Sequence, residues 1–89
     1  MEPHVLSLYI LRALARHQIR ERRVTLQTLV DELGVRRVDV RRTVSLLHEQ
    51  GYLDVVRLHL SMAGFALGIG LLDRKLPELR RVASASEAA

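Results

Sequence analysis

Residues 24–53 read VTLQTLVDELGVRRVDVRRTVSLLHEQGYL, and the fold turns on how this stretch divides. Thr25 stands directly ahead of Leu26, Leu29, Val30 and Leu33, which fall on one face of a helix. A hydroxyl there can accept from an early helix N–H, so Thr25 is the expected N-cap. No reciprocal capping box is expected, because Thr28 holds the place usually taken by Glu or Gln. Gln27, Asp31 and Glu32 face outward, and Gly34 ends the helix, since glycine tolerates the left-handed conformation found there. A second helix is predicted from about Val38 to Gln50. Its core stripe is Val40, Val44 and Leu47, and Asp39 lies in its first turn, where a negative charge complements the helix dipole. Gly51 closes it ahead of Tyr52 and Leu53. A capped helix, a glycine turn and a second helix form a helix-turn-helix, which turns one face of the second helix outward.

Reading outward, residues 3–20 predict a first helix, with Pro3 in its first turn, where a missing N–H costs nothing. Leu6, Ile10, Leu14 and His17 form one stripe, with Tyr9 and Ala13 beside it, and Leu8, Leu11 and Ala15 form another. A helix apolar on two sides needs cover on two sides, and a second subunit is one source of it. The charged connection Arg20-Glu21-Arg22-Arg23 leads to Val24, where a strand of one or two residues is expected. Residues 52–60 alternate and carry β-branched side chains, the pattern of a strand or a very tight hairpin. Ser61 is the expected cap of a fourth helix running from Met62 to about Leu76, broken or restarted by Pro77. Its Met62, Phe65, Ile69, Leu72, Leu76 and Leu79 repeat at the three-four spacing of a coiled-coil seam, with Gly64, Gly68 and Gly70 on or beside it. Interior glycines there imply close approach by a neighbouring helix.

Composition sets the frame. The 89 residues suffice for one domain, placed at residues 1–81, with a low-complexity tail at 82–89 expected to be disordered. Hydrophobic residues make up 48% and aromatics only 3%, so the core is aliphatic and the fold class mainly α. Cysteine is absent, which excludes disulfides and cysteine-based zinc sites. Met1-Glu2-Pro3-His4 lacks the basic start of a signal peptide. The longest nearly apolar run, residues 60–72, makes about 20 Å of helix, too short for a bilayer core of about 30 Å. A soluble, cytoplasmic protein with no membrane association is therefore expected. The four histidines, His4, His17, His48 and His59, share no ligand spacing, so no metal is expected. No glycine-rich phosphate loop is present, and Thr43, Ser45 and Ser61 have no adjacent base. No cofactor, no catalytic residue and no enzyme activity are expected, and no ligand pocket is legible.

The pattern of Thr25, Leu29, Leu33-Gly34-Val35, Val40, Val44, Leu47 and Gly51-Tyr52-Leu53 resembles the winged helix-turn-helix of bacterial transcriptional regulators of the MarR type and their relatives. Leu60-Ser61-Met62-Ala63-Gly64 resembles the passage from the last wing strand into the next helix of that group. The resemblance covers roughly residues 5–70 and implies a three-helix core, a β-wing, an additional C-terminal helix and DNA binding. The nine residues between Gly51 and Ser61 depart from it, because a full wing needs more. Its turn would fall near Asp54-Val55-Val56, which contains no Gly, Asn or Pro. The wing is therefore expected to be stunted or missing.

Charge points the same way. Lys and Arg number 14 against 10 Asp and Glu, for a formal net charge of +4. Thirteen of the basic residues are Arg, a fork that bonds phosphate or guanine through two donors, although an arginine-biased genome gives the same composition. With Val40, Val44 and Leu47 inward, the other side of the third helix carries Val38, Arg41, Arg42, Ser45 and Glu49, with Arg36 and Arg37 at its entry. Arg36, Arg37, Val38, Arg41, Arg42 and Ser45 are the candidate DNA contacts, with Val38 placed to meet a thymine methyl. Leu8, Leu11, Phe65, Ile69, Leu72 and Leu76 are the candidate homodimer contacts. The expected function is a sequence-specific double-stranded DNA-binding regulator acting as a dimer. The alternative is a winged-helix-like adaptor that binds a protein partner, which the short wing, the apolar first helix and the nearby acids Asp31, Glu32, Asp39 and Glu49 suit.

Overall fold

The computed structural model of the chain describes residues 3–79. The domain limit at residue 81 and the tail at 82–89 lie outside the described residues. In chain order the elements are α1 (Pro3–Ile19), α2 (Leu26–Leu33), α3 (Arg37–Glu49), β1 (Leu53–Asp54), β2 (His59–Leu60) and α4 (Met62–Gly70). The two strands pair antiparallel, with Leu53 opposite Leu60 and Asp54 opposite His59. The fold class is thus mainly α, four helices with one small antiparallel hairpin, an arrangement compatible with a winged-helix-like fold. Val24 forms no strand among the described residues. The N–H of Leu60 is instead satisfied by the Gln18 side-chain oxygen at 3.0 Å. A side chain of α1 takes the bond that a third strand would have made.

The core is aliphatic and centred on α1. Leu6, Ile10 and Leu14 of α1, Leu29 of α2, and Val40 and Val44 of α3 are essentially inaccessible to solvent. α1 packs against α2, α3, β2 and α4, which accounts for its two apolar sides. The second side is covered within the same chain. Leu11, expected at a subunit interface, is only 4% exposed here, and Ala15 is fully buried. Leu8, placed on the same strip, is half-buried.

Gly68 makes that cover possible. A Cβ on Gly68 would lie 2.6 Å from the Leu11 carbonyl oxygen and 2.7 Å from the Ala15 Cβ. Only a residue without a side chain allows the two backbones to come so close. Of the glycines of α4, Gly68 therefore serves an approach to α1 and Gly64 one to the Tyr52 backbone, whereas Gly70 approaches nothing within 4 Å.

α4 is shorter than the spacing predicts, ending at Gly70 rather than near Leu76 and well before Pro77. Its last turn tightens: Leu71 N bonds Gly68 O at 3.1 Å, and Leu72 N bonds Ile69 O at 3.2 Å. Gly68 and Gly70 supply little helix propensity to carry it further. The chain then returns along α1, where Tyr9 Oη donates to Pro77 O at 2.7 Å and Arg12 to Arg74 O at 3.3 Å. Leu79 is buried in the core. The three-four stripe is therefore not the face of one helix. Met62 is 90% exposed and Ile69 38%, Phe65, Leu72 and Leu76 are half-buried, and Leu79 points inward. Among the described residues no helix is long and apolar enough to cross a membrane.

The close approach is testable. Gly68→Val should lower stability by about 1–3 kcal/mol, the usual range for overpacking a filled site. Gly70→Ala should be neutral or raise stability by up to about 1 kcal/mol, because a Cβ at Gly70 meets nothing within 4 Å. Urea unfolding followed by circular dichroism measures both. Equal effects at the two positions would contradict the packing described.

Candidate nucleic-acid interface

The local structure that aims α3 begins at the cap of α2. Thr25 has extended backbone and accepts from Thr28 N at 3.1 Å, while Thr28 Oγ1 accepts from Thr25 N at 3.1 Å. A reciprocal capping box is thus present, against expectation. The threonine hydroxyl reaches back as a Glu or Gln carbonyl oxygen would, with the two hydroxyls 3.0 Å apart. At the other end Gly34 takes the left-handed conformation at φ 68° and its N–H bonds Val30 O. Only Val35 and Arg36 separate this cap from α3, and Val35 is buried. The turn is accordingly short and pinned by its own apolar residue.

α3 starts at Arg37, one residue earlier than expected. The Arg36 side chain does not cap it. Its Nε instead donates to Asp39 Oδ2 at 3.2 Å, and the Asp39 side chain is only 7% exposed. Asp39 therefore presents little charge to solvent. It sits in the first helical turn, where its carboxylate complements the helix dipole and holds Arg36 across the entry. Thr43 Oγ1 donates to Asp39 O at 2.8 Å, which satisfies a second polar group on the buried side. Asp39, Val40, Thr43, Val44 and Leu47 form that side.

The opposite arc of α3 is solvent-facing. At 100° per residue its centre carries Val38, Ser45 and Glu49, with Arg41 and Arg42 on the two flanks. All six residues expected to contact DNA are exposed: Arg36, Arg37, Val38, Arg41, Arg42 and Ser45. Val38 is 50% exposed, large for a valine, and Leu46, off the buried stripe, is also exposed at the edge of the arc. The side chains of Arg37, Arg41 and Arg42 make no hydrogen bond or ion pair among the described residues. The acids that weighed against nucleic acid are partly accounted for. Asp39 is turned inward, Asp31 accepts from Gln27 at 2.7 Å, and Glu32 lies 2.8 Å from His17 Nε2, tying α2 to α1. Glu49 alone of the four remains on the outer arc without a partner among the described residues.

The hairpin follows α3 directly. Its turn spans residues 55–58, and Asp54 makes it without Gly, Asn or Pro. Asp54 Oδ1 accepts from Val56 N at 2.9 Å and Arg57 N at 3.4 Å, the side-chain mimic of a backbone turn. Leu58 closes the turn at φ 52°, a region that leucine rarely enters. Burial of its side chain offsets that strain. His48 is exposed but engaged: Nδ1 lies 3.0 Å from Leu53 O and 3.3 Å from Val55 N, which fastens the end of α3 to the hairpin. Val56 and Arg57 project at the tip, Val56 88% exposed. Arg57, which no sequence motif singled out, shares a shallow depression with His48, Asp54 and His59. Among the described residues no three of His, Asp and Glu come together to hold a metal ion.

Comparison with protein families, with curated proteins and with solved structures found no match to this chain.

Removal of the Asp54 carboxylate isolates the contribution of the turn. Asp54→Ala should speed amide exchange at Val56 and Arg57 and cost about 1 kcal/mol, the worth of an ordinary hydrogen bond. Amide exchange within α3 should not change. Unaltered exchange at both tip amides would mean that the carboxylate does not hold the turn.

Proposed function

We propose that this chain is a winged helix-turn-helix module that binds double-stranded DNA sequence-specifically and regulates transcription as a homodimer in the cytoplasm. One observation carries the reading: four arginines are exposed at the entry and on the outer arc of α3, Arg36 and Arg37 at the N-terminal entry and Arg41 and Arg42 flanking Val38 and Ser45. In this reading α3 enters the major groove. Arg36 and Arg37 at its N-terminal end meet phosphates, and Arg41 and Arg42 reach phosphate or guanine edges from its two flanks. Val38 meets a thymine methyl, and Ser45 bonds a base edge. The hairpin serves as a short wing, and its Arg57 is a phosphate contact of limited reach. The inward placement of Asp39 supports the assignment, because it removes a carboxylate from the face that would meet phosphate.

The dimer rests on the apolar surface that remains. Met62, Leu67 and Ile69 are exposed on α4, and Leu8, Phe65, Leu72 and Leu76 are half-buried. To read a two-fold site, such a dimer must hold its two copies of α3 about 34 Å apart, one DNA turn. A protein-binding adaptor is the second reading. Val38 and Leu46 favour it, as exposed apolar residues on the same helix as the arginines.

Arg41→Ala combined with Arg42→Ala should abolish specific binding in a gel-shift assay while changing stability by no more than about 0.5 kcal/mol. Each phosphate contact removed should flatten the salt dependence, log K against log salt, by roughly one unit. A double variant that binds duplex DNA as the parent does would remove α3 from the interface. A parent chain that fails to bind genomic duplexes even at low salt would transfer the surface to the adaptor reading.

Sedimentation tests the assembly. The chain should be dimeric at micromolar concentration, and Ile69→Glu should be monomeric or insoluble, with specific DNA binding weakened by loss of the second half-site. A stable, soluble monomer of the unaltered chain would exclude the two-fold site.

A further inference from the structure

His48 lies in the last turn of α3, and its Nδ1 faces two backbone groups of the hairpin at once. Leu53 O is 3.0 Å away and Val55 N is 3.3 Å away. The first is an acceptor and the second a donor, so one ring nitrogen cannot serve both. With a proton Nδ1 donates to Leu53 O; with its lone pair it accepts from Val55 N–H. The position of one proton therefore decides which end of the contact is made. Val55 N has no other partner among the described residues. The other ring nitrogen, Nε2, bonds nothing among the described residues, and the side chain is exposed, so water reaches it. Asp54, Arg57 and His59 share the depression beside His48, and Glu49 is its neighbour in the chain. Among the described residues no charged or titratable side chain of α1, α2 or α4 lines that depression.

Histidine is the side chain whose charge ordinarily changes between about pH 5 and pH 8. We propose that His48 is a proton-operated latch between α3 and the hairpin turn. In the neutral ring the proton stays on Nε2, and Nδ1 accepts from Val55 N, which holds the start of the turn to the helix. A proton taken up from solvent goes to Nδ1, the site of the lone pair. Nδ1 then donates to Leu53 O, and Val55 N is released to water. Strand β1 stays tied to α3 in the acid form, while the turn that carries Val56 and Arg57 is freed from it. The Asp54 carboxylate keeps its bonds to the amides of Val56 and Arg57, so the turn loosens as a unit. The latch does not depend on what the α3 arc binds.

Nuclear magnetic resonance of the full, ¹⁵N-labelled chain between about pH 8 and about pH 5 tests this. At the alkaline end the ring ¹⁵N shifts should place the lone pair on Nδ1. As the His48 ring takes up its proton, the Val55 amide shift should change along the same curve. Protection of Val55, corrected for the intrinsic exchange rate at each pH, should fall about fivefold, the equivalent of one ordinary hydrogen bond. His48→Gln should abolish the pH response at Val55, and His59→Gln, in the same depression, should preserve it. A proton found on Nδ1 at the alkaline end would overturn the proposal, as would a Val55 amide that ignores the ring titration. So would a response that survives His48→Gln, or one centred on Val56 and Arg57, which would assign it to the Asp54 carboxylate.

Discussion

The approach of α4 to α1 at Gly68 is the contact on which the rest of the molecule depends. With a Cβ 2.6 Å from a backbone oxygen excluded, the two helices can meet only where one of them lacks a side chain. That contact covers Leu11 and Ala15, and so lets one chain satisfy a helix that is apolar on two sides. It also sets where the chain goes next. α4 ends two residues beyond Gly68, and the following segment folds back along α1, held by Tyr9 and Arg12 and closed by Leu79. What is left outside is a smaller apolar surface, centred on Met62, Leu67 and Ile69.

The other side of α1 orients α3. Val40, Val44 and Leu47 are committed to the core, and the buried pair Asp39 and Thr43 completes that side through polar contacts internal to the helix and its cap. A buried carboxylate is tolerated here because Arg36 lies across it and the helix N-terminus favours negative charge. The ion pair adds little stability with the guanidinium in solvent. Its consequence is positional: the acid lies under the entry to α3 and the base over it. The remaining positions then face solvent together, and the basic character of that arc follows from packing as much as from composition.

The hairpin is built under tension between length and geometry. A four-residue turn without glycine is held by the Asp54 carboxylate and by a left-handed Leu58 whose side chain is buried. The hairpin is fastened to the end of α3 by His48 and to α1 through Gln18. Because Gln18 occupies the bonding position of a third strand, the space between the hairpin and residues 22–25 remains a cleft, with Arg22, Arg23 and Arg57 around it. One substitution of side chain for strand thus stabilises the sheet edge and opens the cavity.

The amino-acid sequence by itself determined the presence of four helices and the extent of the first three to within a residue, the caps at Thr25, Gly34 and Ser61, the buried stripe of α3 and therefore which arginines are exposed. These follow from local bonding and from a periodicity that holds over consecutive turns. It could also mark Gly64 and Gly68 of α4 as close approaches, though Gly70, marked with them, meets nothing within 4 Å. It could not name the partner, since Leu11 on the same chain and a second subunit offer the same kind of surface. The three-four stripe of residues 62–79 misled for a related reason: spacing continues through Gly70, whereas helix hydrogen bonding does not. The reciprocal threonine cap, the inward turn of Asp39 and the turn made by Asp54 each depend on one side chain reaching one backbone or guanidinium group, a matter of ångströms that residue type leaves open. The cleft was wholly a product of tertiary structure, because its lining comes from α1, from residues 22–25 and from residues 56–59, segments brought together only when α1 is packed on both its sides.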